Sequence, residues 1–169
     1  MKISIEIHDI QVDEQFGEVV LMLANMEWLY VSQLKSSDMV SEYESLVGYC
    51  FPNDFKDCVN VNNGAHPKLK VFISTFGKKR RKRVLNNLFS FNKDDPSTIW
   101  KYNDWNGRSR DWNMNGEMTN YIAFAKDPFG NLICFDKTDD KIVFVNHETL
   151  NIEFVANSFT EFIESLRKS

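Results

Sequence analysis

Tyr121-Ile122-Ala123-Phe124-Ala125-Lys126-Asp127-Pro128-Phe129-Gly130-Asn131-Leu132-Ile133-Cys134-Phe135-Asp136 is the stretch that decides the fold. Two runs rich in β-branched, aromatic and small apolar residues flank an Asp-Pro-Phe-Gly break, which predicts strand, turn, strand. A second turn through Thr138-Asp139-Asp140 leads into Lys141-Ile142-Val143-Phe144-Val145-Asn146, a third strand. The three runs read as an antiparallel meander, and Ile152 to Val155 adds a short further strand. Ser158-Phe159-Thr160-Glu161 reads as a capping box, Ser158 and Glu161 satisfying each other's free backbone N–H groups. Phe159, Phe162, Ile163 and Leu166 then fall at i, i+3, i+4 and i+7, an apolar stripe that lays the helix across the sheet. Burying each such Phe or Leu stabilises the fold by ~1.5–3 kcal/mol.

Upstream, Ile3, Ile5 and Ile7 alternate with Ser4, Glu6 and His8, the pattern of a half-buried strand. Phe16, Val19, Val20, Leu23 and Met26 keep helical spacing, so a helix is predicted from Asp13 toward Trp28 or Tyr30. Ser36-Ser37-Asp38 supplies an N-cap for a second helix through Val40, Tyr43, Leu46 and Val47, closed by Gly48. Pro52 suits the first position of a third helix that turns Phe55, Cys58 and Val59 inward and closes at Asn63-Gly64. Leu69 to Phe76 reads as a strand with Val71 and Ile73 on one face and Phe72 on the other. Val84 to Phe91 is a further apolar segment, and Asp95-Pro96-Ser97 starts a short helix carrying Ile99, Trp100 and Tyr102. Asn103 to Asn120 is a long polar connection.

At 169 residues with 43% apolar side chains, the chain is read as a single domain, 1–169, with a real core. No apolar run approaches the ~20 residues of a membrane span. The alternating N-terminus lacks the unbroken apolar stretch of a signal peptide, so a cytoplasmic location is expected. Cys50, Cys58 and Cys134, an odd and scattered set, fit buried thiols in a reducing compartment.

Charge is unevenly distributed. Residues 1–60 carry 3 Lys and Arg against 11 Asp and Glu, residues 61–110 carry 12 against 3, and residues 111–169 carry 5 against 10. The basic middle comes mainly from Lys78-Lys79-Arg80-Arg81-Lys82-Arg83. That run reads either as phosphate or acidic-partner contacts (or a nuclear address) or as a solvated connection or helix start. Asp127, Asp136, Asp139, Asp140, Glu148 and Glu153 gather at turns and strand ends, either as ordinary solvated turns or as an acidic patch for a basic partner. Trp105 and Trp112 stand among polar residues and suit partner contact or local packing, whereas Trp100 is assigned to the core.

Catalytic signatures do not emerge. His8, His66 and His147 are far apart, and neither Cys-x-x-Cys nor a glycine-rich phosphate loop occurs. His147 with Glu148 is the best acid–base pair, read as a hairpin end. No catalytic residue, metal or cofactor is therefore predicted.

In order along the chain, several motifs resemble those of the SUKH superfamily, the Smi/Knr-like group that includes bacterial immunity proteins against polymorphic toxins. The matching residues are Val40 to Glu44 with Gly48, Phe51-Pro52-Asn53-Asp54-Phe55-Lys56, and Asn63-Gly64-Ala65 with Pro67. They continue with Ala123 to Asp136, Ile142 to Glu148, and Ser158 to Ile163. The resemblance covers about 36–167 and leaves 1–35 as an N-terminal strand-and-helix extension. Ala65 stands where the family has a second Gly, and Val145 and Asn146 where Trp and Asp are frequent.

The resemblance implies an α+β domain: a twisted, mostly antiparallel sheet with helices packed against it. It also implies a non-enzymatic immunity protein that binds and neutralises a toxin domain, a nuclease by expectation, through an acidic and aromatic surface. The residues expected to bind that partner are Asp127, Asp136, Asp139, Asp140, Glu148, Trp105 and Trp112. A scaffold or regulatory module of the same fold is the alternative. Nucleic-acid binding through Lys78 to Arg83 is the third and least favoured reading.

Overall fold

A computed structural model describes residues 26–103 and 117–168. The predicted first strand, most of the predicted first helix, and Trp105 and Trp112 lie outside the described residues. Where the first helix was expected to end, Trp28–Leu29 instead form a strand, β1, paired antiparallel with β2, His66–Pro67. Helical spacing from Phe16 to Met26 therefore does not carry into Trp28.

Helix α1 spans Met39–Val47 and turns Val40 and Tyr43 inward. Gly48, at φ 62, ends it in the left-handed conformation that glycine adopts without a Cβ clash. Asp38 holds the N-cap position without a side-chain cap; its Oδ1 accepts the Ser37 hydroxyl at 3.3 Å instead. Helix α2 spans Asn53–Asn62, one residue later than predicted, with Pro52 as the preceding cap. Phe55, Cys58 and Val59 face inward as expected.

Among the described residues, seven strands form one antiparallel sheet: β3 (Val71–Phe76), β4 (Lys79–Val84), β5 (Asn87–Leu88), β6 (Tyr121–Lys126), β7 (Leu132–Asp136), β8 (Ile142–Val145) and β9 (Ile152–Ala156). Their spatial order is β4-β3-β9-β8-β7-β6-β5. The predicted meander is its centre, with Ile133 opposite Phe144 and Cys134 opposite Val143. Helix α3 (Ile99–Tyr102) leads toward β6, and α4 (Phe159–Ser165) packs on the sheet. The fold is thus the α+β arrangement expected.

Aromatic rings fill the space between helices and sheet. The Phe55 ring lies 4.9 Å from Phe51, 5.4 Å from Phe124, and 5.1 Å from both Phe135 and Phe159. Phe162 of α4 meets Phe72 of β3 at 5.3 Å. Trp100 packs edge-on against Tyr43 at 4.9 Å and donates its indole N–H to Phe91 O.

The basic run departs from the reading as a connection or helix start. Lys79–Val84 is a regular strand, paired residue for residue with β3 from Val71–Val84 to Phe76–Lys79. Gly77 and Lys78 form a two-residue hairpin loop, and positive φ is confined to Gly77, at 59. That is the pattern of a type II′ turn, whose twist suits a hairpin.

Candidate functional site

Topology first divides the acidic residues. In an antiparallel meander, successive turns fall at opposite ends of the sheet. The turns 127–131 and 146–151 share one end, and Asn131 Oδ1 accepts the His147 N–H between them at 2.9 Å. The turn 137–141, with Asp136, Asp139 and Asp140, lies at the other end, a strand length away, ~13 Å at ~3.3 Å per residue. Asp127 and Glu148 therefore do not join the other three in one patch.

Asp127 is also no surface group, being 4% exposed. Its Oδ1 accepts the N–H groups of Phe129 and Asn131, both at 2.8 Å, and its Oδ2 accepts from the Asn131 amide at 2.6 Å. It shapes the turn, and the reading of Asp127 as a partner contact is corrected on that ground. Glu153 is likewise fully buried, which removes it from the acidic surface. Glu148 is exposed. His147, beside it, directs Nδ1 at Asn131 Oδ1, 2.8 Å away, in keeping with the predicted hairpin end.

At the opposite end the turn is held in shape. Asp136 Oδ1 accepts the Thr138 N–H at 2.9 Å and its hydroxyl at 2.6 Å. Asp140 sits at φ 59, a left-handed position that Asp tolerates better than most residues. Its Oδ1 accepts the Tyr49 hydroxyl at 2.6 Å, pinning the turn to the loop between α1 and α2. Burial pushes the Tyr49 hydroxyl well above its ordinary pKa, and the hydrogen bond to Asp140 with the charges of Asp140 and Asp136 pushes it further. Asp139 is exposed and pairs with Lys141 at 2.6 Å, and the Lys141 ammonium holds the Asp139 carboxyl below its usual range.

Strand alternation divides the basic run. Arg83 and Arg81 lie opposite Phe72 and Ser74, on the face that carries α4. Both reach the buried carboxylate of Glu153 on β9, Arg81 Nη1 at 2.8 Å and Arg83 Nη2 at 2.8 Å from each oxygen. The Ser74 hydroxyl donates to the same carboxylate at 2.5 Å. Burial would raise the Glu153 pKa, but Ser74, Arg83 and Arg81 together hold it below the usual glutamate value. Arg80 and Lys82 lie opposite Thr75 and Ile73 on the other face and are exposed, as are Lys78 and Lys79. Sequence reasoning missed the Glu153 cluster. The available signal was Gly77 between two runs of equal length, which marks a hairpin and hence an alternation among the cations.

The remaining titratable groups serve the core. Burial pushes the Cys58 thiol up to about 12 and the Cys134 thiol higher still. Burial, foremost, lowers the His66 pKa. Among the described residues, three or more His, Cys, Asp or Glu are nowhere grouped to hold a metal ion, and no helix is long and apolar enough to cross a membrane.

Several residues of the family motifs bridge segments of the fold through their polar side chains. Glu44 Oε1 accepts the Phe51 N–H at 2.7 Å, tying α1 to the start of α2. Asp54 Oδ2 accepts the N–H of Thr160 at 2.9 Å and its hydroxyl at 2.7 Å, tying α2 to α4. Asn63 joins three segments, donating to Ser32 O and Ser90 Oγ and accepting the Phe91 N–H. Ser158 caps α4 by accepting the Glu161 N–H, but Glu161 Oε2 takes the N–H of Asn157 rather than that of Ser158. The predicted box is thus displaced by one residue at its return bond.

Residues 37–163 match the SUKH_6 family model, described as SMI1-KNR4 cell-wall. No curated protein matches the chain.

Proposed function

This chain belongs to the SUKH superfamily, and from that premise we propose that it acts by binding, as an immunity protein that captures and blocks a basic toxin domain, such as a nuclease. Members of this superfamily are generally non-enzymatic immunity proteins, and the chain's motif residues are turn locks and helix ties rather than reacting groups. The observation that carries the reading is the pinned acidic turn. Asp136, Asp139 and Asp140 project from one end of the sheet on a loop fixed by the Tyr49–Asp140 bond. A preorganised acidic loop loses little entropy on docking and steers a cationic nuclease surface toward itself. Carboxylates seated where substrate phosphates bind would exclude the nucleic acid.

Glu148, at the other end of the sheet, is not part of this surface. Trp105 and Trp112 remain contacts proposed from sequence. Direct nucleic-acid binding is weakened because Arg81 and Arg83 are engaged by Glu153.

Co-expression with the toxin-like domain encoded beside the gene tests the reading. Growth rescue and a 1:1 complex on gel filtration are expected. Asp139→Lys with Asp140→Lys should slow association and abolish rescue. Rescue that survives this double reversal moves the interface elsewhere, and neither rescue nor complex with any neighbouring toxin overturns the immunity reading.

A further inference from the structure

Among the described residues, the outer side of β4 is an open edge. Among the described residues β3 is the one strand that pairs with Lys79–Val84, so the far side of this strand presents backbone N–H and C=O groups to solvent. Natural sheets protect such edges with lysine, because an uncovered edge templates further pairing. Here the protection is selective. A second copy of β4 brought alongside would set like charges opposite one another, which is unfavourable. An acidic strand would meet the opposite situation.

Four cations remain for such a partner. Lys78, Lys79, Arg80 and Lys82 are exposed, and none meets an acidic group among the described residues. Arg80 and Lys82 project on the face where Phe154 of β9, opposite Thr75, is 40% exposed. That ring offers apolar ground two strands in from the edge. A nucleic acid fits this surface less well. It has no amide ladder to complete the strand, and the guanidinium groups of Arg81 and Arg83, the donors best suited to phosphate, are held by Glu153.

We propose that β4 is a docking strand for an extended acidic segment of a protein partner, which adds to the seven-stranded sheet by β-augmentation. Main-chain bonds to Lys79–Arg83 supply the affinity, and Arg80, Lys82 and the hairpin lysines select acidic side chains. This surface is separate from the acidic turn, and the inference does not rest on the immunity reading.

The test uses the full chain and a fluorescent peptide alternating Glu and Thr, followed by anisotropy at near-physiological salt. Saturable binding is expected, with slowed amide hydrogen exchange at Lys79–Arg83. The same peptide N-methylated at alternate amides keeps its charge but cannot form a ladder, and should bind at least about tenfold more weakly, a loss of ~1.4 kcal/mol. Arg80→Glu with Lys82→Glu, both exposed, should weaken the parent peptide similarly while leaving the circular dichroism unchanged. Absence of binding overturns the proposal, as does equal affinity for the N-methylated peptide, which would reduce the effect to charge. A single-stranded oligonucleotide that binds this edge and is not displaced by the peptide would assign the surface to nucleic acid instead.

Discussion

Glu153 on β9 reaches past β3 to Arg83 on β4: Arg83 Nη2 stands 2.8 Å from both carboxylate oxygens, with Ser74 of the intervening strand bonded to the same group. One ion pair thus spans three strands, and the Arg83 guanidinium lies over the Phe144 ring, its central carbon 4.2 Å from the ring centroid. The edge strand is fastened to the sheet by its side chains as well as by its ladder.

Replacing Glu153 by Ala leaves two guanidinium groups facing each other without a counter-charge. Removing one partner of a buried pair costs about 3 kcal/mol. For a chain of this size the corresponding fall in Tm is on the order of 6–12 °C. Thermal unfolding checks it, and an unchanged Tm would show that the pair contributes nothing net.

The same carboxylate sets an acid limb. Its folded pKa is depressed, so its contribution is present above the ordinary glutamate value of 4.5 and is lost as pH falls through the lower folded value. Wild type should therefore lose stability more steeply than Glu153→Gln as pH falls below 4.5. Denaturant midpoints measured for the two proteins across that window decide it.

Asn63 is the corresponding tie on the helical side. It is 1% exposed, with Nδ2 at 2.7 Å from Ser32 O and 2.8 Å from Ser90 Oγ, and Oδ1 at 2.8 Å from the Phe91 N–H. Asn63→Ala strands these groups and should cost about 2–3 kcal/mol. Asn63→Asp should be worse at neutral pH, because an acceptor then faces the Ser32 carbonyl. Gly64, at φ 68 with any added Cβ 3.3 Å from Ser90 Cβ, should lose roughly 1–3 kcal/mol as Ala. Urea unfolding of the three variants gives the order.

Much of this was legible in the sequence, and the part that was not has a physical pattern. The meander, the inward faces of α2 and α4 and the order of elements follow from local periodicity, which burial reinforces at Phe55, Phe135 and Phe162. Lys79–Arg83 carries no apolar alternation, so its strand character depends on β3, on Glu153 and on the Gly77 turn. Asp127 looked like a solvated turn acid because its sequence neighbours are turn residues. Its carboxylate is buried against the Phe129 and Asn131 donors of its own turn, and Asn131 is in turn tied to His147 of the turn 146–151, a contact that no local pattern reports. The motifs that revealed the family are largely fold-holding residues, so they identify the architecture, whereas Asp139 and Asp140, the exposed acids of the pinned turn, fall outside them.

The cysteines provide a simple check on core placement. Cys50 is exposed, whereas Cys58 and Cys134 are buried with raised thiol pKa values. A thiol-specific chromogenic disulfide at neutral pH should react with Cys50 alone in the native protein and with the other two only after denaturation, since thiolate is the reactive form. Rapid native reaction at Cys58 or Cys134 would contradict the packing of α2 or β7.

The Tyr49–Asp140 bond, on which the acidic turn depends, makes a prediction at the alkaline end. The folded pKa of Tyr49 lies above the ordinary value of 10.0, so its contribution to stability is whole below pH 10.0 and is lost as pH rises through the folded pKa. Tyr49→Phe removes both the hydrogen bond and the titration. At neutral pH it should cost roughly 1.5–3 kcal/mol, the typical net range for a hydrogen bond to a charged group. Above pH 10.0 the gap between variant and wild type should narrow, because the wild-type unfolded chain then gains a phenolate that the folded protein refuses. If the gap is constant from neutral to alkaline pH, the Tyr49 hydroxyl is not held as described. The turn bearing Asp139 and Asp140 would then lose the anchor that preorganises it for a basic partner.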